Sequence, residues 1–141
     1  MSTAMADTGA RATGVDAIYY SVKDVARAIA FYRELLDVRE VTWENEHGAE
    51  FILSDGTAFG VGAYSSGDWA PSGCVLFSVP DLDAAAPRIE LLGGKLVDHI
   101  RDFASCRSQW CEDPDGNSFV LHQRTVNNLV SVAARSEKAP S

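Results

Sequence analysis

The residues able to do chemistry in this 141-residue chain are few and widely spaced. Cys74, Cys106 and Cys111 form an odd, unclustered set without the paired spacing of a structural zinc site or of a secreted disulfide framework, so reduced thiols are expected. Cys106 and Cys111 read as packed thiols. Cys74 would act as a nucleophile only beside a cation that lowers its pKa, and the neighbouring sequence offers none. Trp43, Trp69 and Trp110 present faces that stack on planar or cationic ligands. Packing in a core or interface is the first expectation for Trp43 and Trp110, whereas Trp69 lies in the turn-rich stretch Ser65 to Ser72, where core packing explains it least.

Charge narrows the field. Glu40, Glu44, Glu46 and Glu50 crowd one segment of a chain of net charge −8, a distribution that draws cationic guests and repels the phosphates of nucleic acid and of anionic membranes. No apolar run approaches the roughly 20 residues of a membrane-spanning helix, and Met1 to Gly14 lacks the apolar centre of a signal peptide, so a cytoplasmic protein is expected.

An internal repeat supplies the elements that must position these residues. Ser21-Val22-Lys23-Asp24-Val25 returns as Ser78-Val79-Pro80-Asp81-Leu82, an offset of 57, and Asp55-Gly56-Thr57-Ala58-Phe59 returns as Asp115-Gly116-Asn117-Ser118-Phe119, an offset of 60. Two modules follow, residues 15–64 and 73–123, joined by linker 65–72 and flanked by tails 1–14 and 124–141, with a short docked helical turn expected over Val126 to Val132. In module 1 a strand over Ala17 to Val22 leads to Asp24, whose carboxylate caps a helix carrying Val25, Ala28, Ile29, Tyr32, Leu35 and Leu36 on one stripe. Three strands then follow, near Arg39 to Glu44, Ala49 to Leu53 and Thr57 to Ala63. Module 2 repeats the order with strands Cys74 to Val79, Lys95 to Arg101, Cys106 to Glu112 and Ser118 to Gln123, and a helix between Asp81 and the Gly93-Gly94 stop. Pro87 should kink that helix or end it early.

A βαβββ unit used twice, with Phe31-Tyr32 in the first helix and Asp113-Pro114-Asp115-Gly116-Asn117 before the last strand, resembles the vicinal oxygen chelate superfamily of glyoxalases, bleomycin-resistance proteins and extradiol dioxygenases. The resemblance covers Val15 to Gln123 and implies an α+β fold, two tandem βαβββ modules forming a cupped mixed β-sheet with helices outside. It also implies metal-ligand positions seven residues before each capping Asp and four after each turn Gly. Here those positions hold Ala17, Cys74, Gly60 and Val120, which cannot supply the three imidazole or carboxylate donors of the superfamily's metal reactions. No metal or cofactor is therefore expected.

Strand alternation from those positions places Tyr19, Ser21, Gly60 and Gly62 of module 1 on the cavity side, with Cys74, Leu76, Ser118, Val120 and His122 of module 2. Trp69 and Trp110 complete the candidate ligand-binding set. The expectation is a metal-independent binding protein that sequesters an aromatic or cationic compound such as an antibiotic, acting as a homodimer like its non-catalytic relatives. The alternative is a lyase, isomerase or dioxygenase-like enzyme, either metal-free through His122, Tyr19 and Cys74 or using a displaced metal set from His47, Glu50, His99 and Glu112.

Overall fold

The computed structural model describes residues 9–11, 14–63 and 68–125. Each repeat folds as βαβββ. Module 1 runs β1 (Ile18–Ser21), α1 (Val25–Leu35), β2 (Val38–Asn45), β3 (Gly48–Leu53) and β4 (Ala58–Gly62). Module 2 runs β5 (Val75–Ser78), α2 (Leu82–Leu91), β6 (Lys95–Asp102), β7 (Cys106–Glu112) and β8 (Ser118–Arg124). The expected α+β class and tandem modules are thus observed, as two mixed four-stranded sheets of order β1-β4-β3-β2 and β5-β8-β7-β6. In each sheet the first and last strands are parallel, β1 with β4 and β5 with β8, and the other pairs are antiparallel. The docked turn expected over Val126 to Val132 lies outside the described residues. Among the described residues no helix is long and apolar enough to cross a membrane.

Local chemistry explains the helix ends. The Asp24 carboxylate accepts from the Arg27 amide at 3.1 Å, and Asp81 accepts from the Ala84 amide at 3.2 Å, each satisfying one of the free amides of a first turn. Gly93 stops α2 with a φ of +99°, where glycine avoids the strain other residues meet. Pro87 does not stop it: α2 runs on to Leu91. The ring sits on the exposed side while Leu82, Ala86 and Ile89 are buried, so burial of that stripe outweighs one missing hydrogen bond.

The modules share one core, built from the helix-side faces of both sheets. The Tyr32 ring lies 5.0 Å from Phe59 of its own module and 6.4 Å from both Phe77 and Phe119 of the other. Its hydroxyl donates to Asp113 Oδ2 at 2.7 Å. Asp113 also accepts from the amides of Asp115 and Asn117 and from Asn117 Nδ2, and Asn117 Nδ2 donates to the Ser21 carbonyl of module 1. The D-P-D-G-N turn is therefore a latch between modules as well as a chain reversal.

Burial raises the Tyr20 phenol to about 12, lifts Tyr32 further with Asp113 adding to the effect, and raises the Cys111 thiol to about 12. The fold thus favours the neutral forms. This contribution is complete below the ordinary values of 9.0 for Cys and 10.0 for Tyr and is lost as pH rises towards 12. Thermal melting followed upward from pH 8 should show a melting temperature that falls through this window; a flat profile would contradict the burial of these groups.

Candidate functional site

The face of the β1-β4-β3-β2 sheet away from the helices carries a connected polar cluster. On this face Tyr19 pairs directly with Gly60, and Gly60 with Glu50 across β4 and β3. A side chain at Gly60 would collide with the Tyr19 ring, its Cβ falling 2.5 Å from that ring, so glycine is what lets Tyr19 lie flat over the strand. The Tyr19 hydroxyl donates to Glu50 Oε1 at 2.5 Å, and Trp43 Nε1 donates to the same hydroxyl at 3.1 Å. Thr42 Oγ1 lies 3.0 Å from the other Glu50 oxygen. The Tyr19 and Trp43 rings are stacked with centroids 6.5 Å apart. A half-buried carboxylate is thus tied to the hydroxyl edge of a stacked aromatic pair, and its remaining lone pairs suit a cation or a hydrogen-bond donor.

Other candidates of module 1 play smaller parts. Gly62 is buried, pairs with Gly48 and accepts from the Val22 amide. Ser21 is half-buried, and its hydroxyl is enclosed with no hydrogen-bond partner among the described residues. Trp69 lies half-buried in the linker with its Nε1 likewise enclosed and without a partner among the described residues, and the contacts described do not join it to the Tyr19 cluster.

Module 2 contributes a different surface. Leu76 pairs with Val120, Val120 with Trp110, and Trp110 with Val97, which makes an apolar row across β5, β8, β7 and β6. Ser78 and Ser108 flank His122 on the same face, and Ser118 lies beside Glu112. Val120 is 2% exposed, but Leu76 is 56% and Trp110 44% exposed. The expected walled cavity is therefore an open surface on this half. Of the core or interface packing expected for Trp43 and Trp110, neither lies in the core: Trp43 stacks on Tyr19, and Trp110 is exposed on this face. Cys74 is exposed just before β5.

The residues do not fit the superfamily's metal. Ala17 precedes β1, Gly60 lies under the Tyr19 ring, and Val120 sits between Leu76 and Trp110, so only the Cys74 thiol could ligate. The displaced set does not assemble either. His47 stands against Glu46 and His99 against Asp98, both largely exposed, while Glu50 belongs to the Tyr19 cluster. Among the described residues no group of three His, Cys, Asp or Glu side chains gathers in a way that could hold a metal. Mass spectrometry after incubation with manganese, zinc, nickel and iron should find no stoichiometric metal, and one tightly held ion per chain would overturn this assignment.

Sequence reasoning left Thr42 and Glu50 out of the ligand-binding set. Counting rungs outward from the Asn45 to Gly48 turn would have set Trp43 opposite Glu50.

Comparison with known proteins follows the same lines. A family model described as a glyoxalase-like domain matches residues 17–122. No curated protein matches the chain. Among solved structures, a glyoxalase/bleomycin resistance protein from Albidiferax ferrireducens superposes with a TM-score of 0.66 at 19% identity, over 79% of this chain and 98% of that one. The fosfomycin resistance protein FosX from Listeria monocytogenes, solved with Mn(II) and sulfate, gives 0.67 at 21% identity over 87% and 99%. FosX from Mesorhizobium loti gives 0.64 at 20% identity over 85% and 99%. At these identities the structures share the fold alone, whereas the family match spans both modules from β1 to β8, and the chain belongs to the glyoxalase-like domain family.

Proposed function

We propose that this protein binds a planar, cationic small molecule without metal, as a homodimer in which the exposed face of module 2 is covered by a second copy. The observation that carries the reading is the Glu50 carboxylate bonded to the hydroxyl of Tyr19, whose ring stacks with that of Trp43. A ring cation there gains stacking and cation–π attraction, while Glu50 supplies the charge and the hydrogen-bond acceptor. The net charge of −8 adds long-range attraction of the same sign. The apolar row of Leu76, Val97 and Trp110 supports the dimer, because a face of this kind is normally covered. The structural relatives named for drug resistance make a xenobiotic a sensible class of guest.

The test uses N-methylacridinium as probe and tryptophan fluorescence as readout. Saturable quenching is expected, weakened at least tenfold by Glu50→Gln and abolished by Trp43→Leu. Neutral acridine, offered under mildly alkaline conditions, should bind much more weakly; equal binding of the two would remove Glu50 from the recognition. Trp110→Lys should shift the particle mass from dimer to monomer in sedimentation.

A second reading, a metal-free enzyme, has one observation in its favour. The hydrogen bond from the Tyr19 hydroxyl to Glu50 pairs a proton donor with a carboxylate, an arrangement able to pass a proton to a bound substrate. Tyr19→Phe would then remove turnover while leaving ligand binding within a few fold.

A further inference from the structure

The two modules are related by the offsets of 57 and 60 residues, so each contact that module 1 makes on module 2 has a counterpart made in return. The two sides of that junction are not filled alike. On one side the Tyr20 hydroxyl bridges the Val75 amide and the Ser118 carbonyl, both at 2.7 Å. Arg27 of α1 reaches Asp115 of the turn at 2.7 Å, Tyr32 reaches Asp113, and the Phe31 ring packs 6.0 Å from Phe119. On the other side the equivalent of Tyr20 is Phe77, without a hydroxyl, and that of Arg27 is Ala84, without a guanidinium to meet Asp55. Leu53 stands for Asp113, and Arg88 stands for Phe31 but turns away to the Glu34 carbonyl at 3.1 Å.

These replacements leave a cavity of about 620 Å³ between α2, β5 and the β3–β4 turn, within the roughly 300–1,000 Å³ of small-molecule sites. Its walls are aliphatic and aromatic, among them Ile18, Leu53, Phe59, Val75 and Phe77. Asp37, Asp55 and Asp81 are exposed lining residues at its border, and one cation, Arg88, also lines it while bonded to the Glu34 carbonyl. An apolar slot of this size with an acidic border complements a molecule that has a hydrocarbon body and a positive head.

We infer that this cavity is a second binding site, distinct from the Tyr19 cluster, for a small amphipathic organic cation of the alkylammonium class. The hydrocarbon chain lies against Phe59 and Phe77 in the space that the latch fills on the opposite side, and the ammonium stays at the border near Asp55. Its lining includes Leu76 and Ser78 of β5 beside the helix-side residues, but it shares no residue with the Tyr19 cluster and does not depend on the ligand proposed there.

The probe is octyltrimethylammonium below its micellar concentration, measured by titration calorimetry on the full chain, with octyl sulfate and octanol as controls. One saturable site is expected for the cation, with the sulfate at least tenfold weaker. Ala84→Phe should fill the slot and Ala84→Arg should close it by recreating the Arg27 to Asp115 pair with Asp55; each should weaken the cation at least tenfold while leaving N-methylacridinium quenching unchanged. Glu50→Gln should do the reverse, so loss of one site is distinguishable from loss of the other. Absence of saturable binding, equal binding of the sulfate, or indifference to both Ala84 variants would overturn the inference. So would a change of particle mass in Ala84→Phe, which would assign the slot to a second copy of the chain.

Discussion

Asp113→Ala is expected to destabilise the protein by about 3–5 kcal/mol, because it strands several donors at once and leaving even one buried polar group unpaired costs roughly 1–3 kcal/mol. Asp113 is 3% exposed and accepts from the Tyr32 hydroxyl, the amides of Asp115 and Asn117 and the Asn117 side chain. Tyr32→Phe removes one of these bonds and keeps the ring, so about 1–2 kcal/mol is expected. Urea unfolding of the two variants separates the cases. A cost for Asp113→Ala no larger than that of Tyr32→Phe would show that the turn reverses the chain without tying the modules together. At the equivalent of Asp113 module 1 has Leu53, beside the junction that stays open.

Gly60→Ala is expected to cost about 1–3 kcal/mol, the usual range for overpacking, and to weaken N-methylacridinium binding at least tenfold. The new methyl would fall 2.5 Å from the Tyr19 ring and 2.9 Å from the Ala49 carbonyl oxygen. The ring can swing aside but the strand carbonyl moves only with β3, so the ring yields first and its bond to Glu50 is lost. A double-mutant cycle isolates that step: once Tyr19 is replaced by Ala, the added methyl should change binding little further. Full ligand affinity in Gly60→Ala would mean that the position of the Tyr19 ring does not matter to the guest.

The repeat made most of this fold readable. Matching Asp24 with Asp81 placed both helices, and matching Gly56 with Gly116 placed β4 and β8. Alternation from Ala17 put Tyr19 and Gly60 on one face, as observed. It could not place Trp43, because the register slips between Val41 and Trp43. Val41 pairs with the core residue Phe51, and strict alternation would send Trp43 to the same side; the bulge turns it to the face of Glu50 instead. The early end that Pro87 allowed did not occur for a related reason, since local propensity opposes the helix while the buried stripe of Leu82, Ala86 and Ile89 holds it. Which side of the junction would be filled depended on Tyr20 and Arg27 meeting residues about 55 and 88 positions away, contacts that periodicity does not encode.

The bridge made by Tyr20 also bears on how the molecule comes apart. Val75 opens β5, yet its amide hydrogen is held at 2.7 Å by a side chain from the other module. Exchange of that hydrogen with solvent should therefore be among the slowest in the chain and follow whole-molecule unfolding. The Gly56 amide, bonded only to Leu53 within its own turn beside the open slot, should exchange early through local opening. The duplicated halves would then unfold as one cooperative unit hinged on the latched side, with a loosened lip on the other.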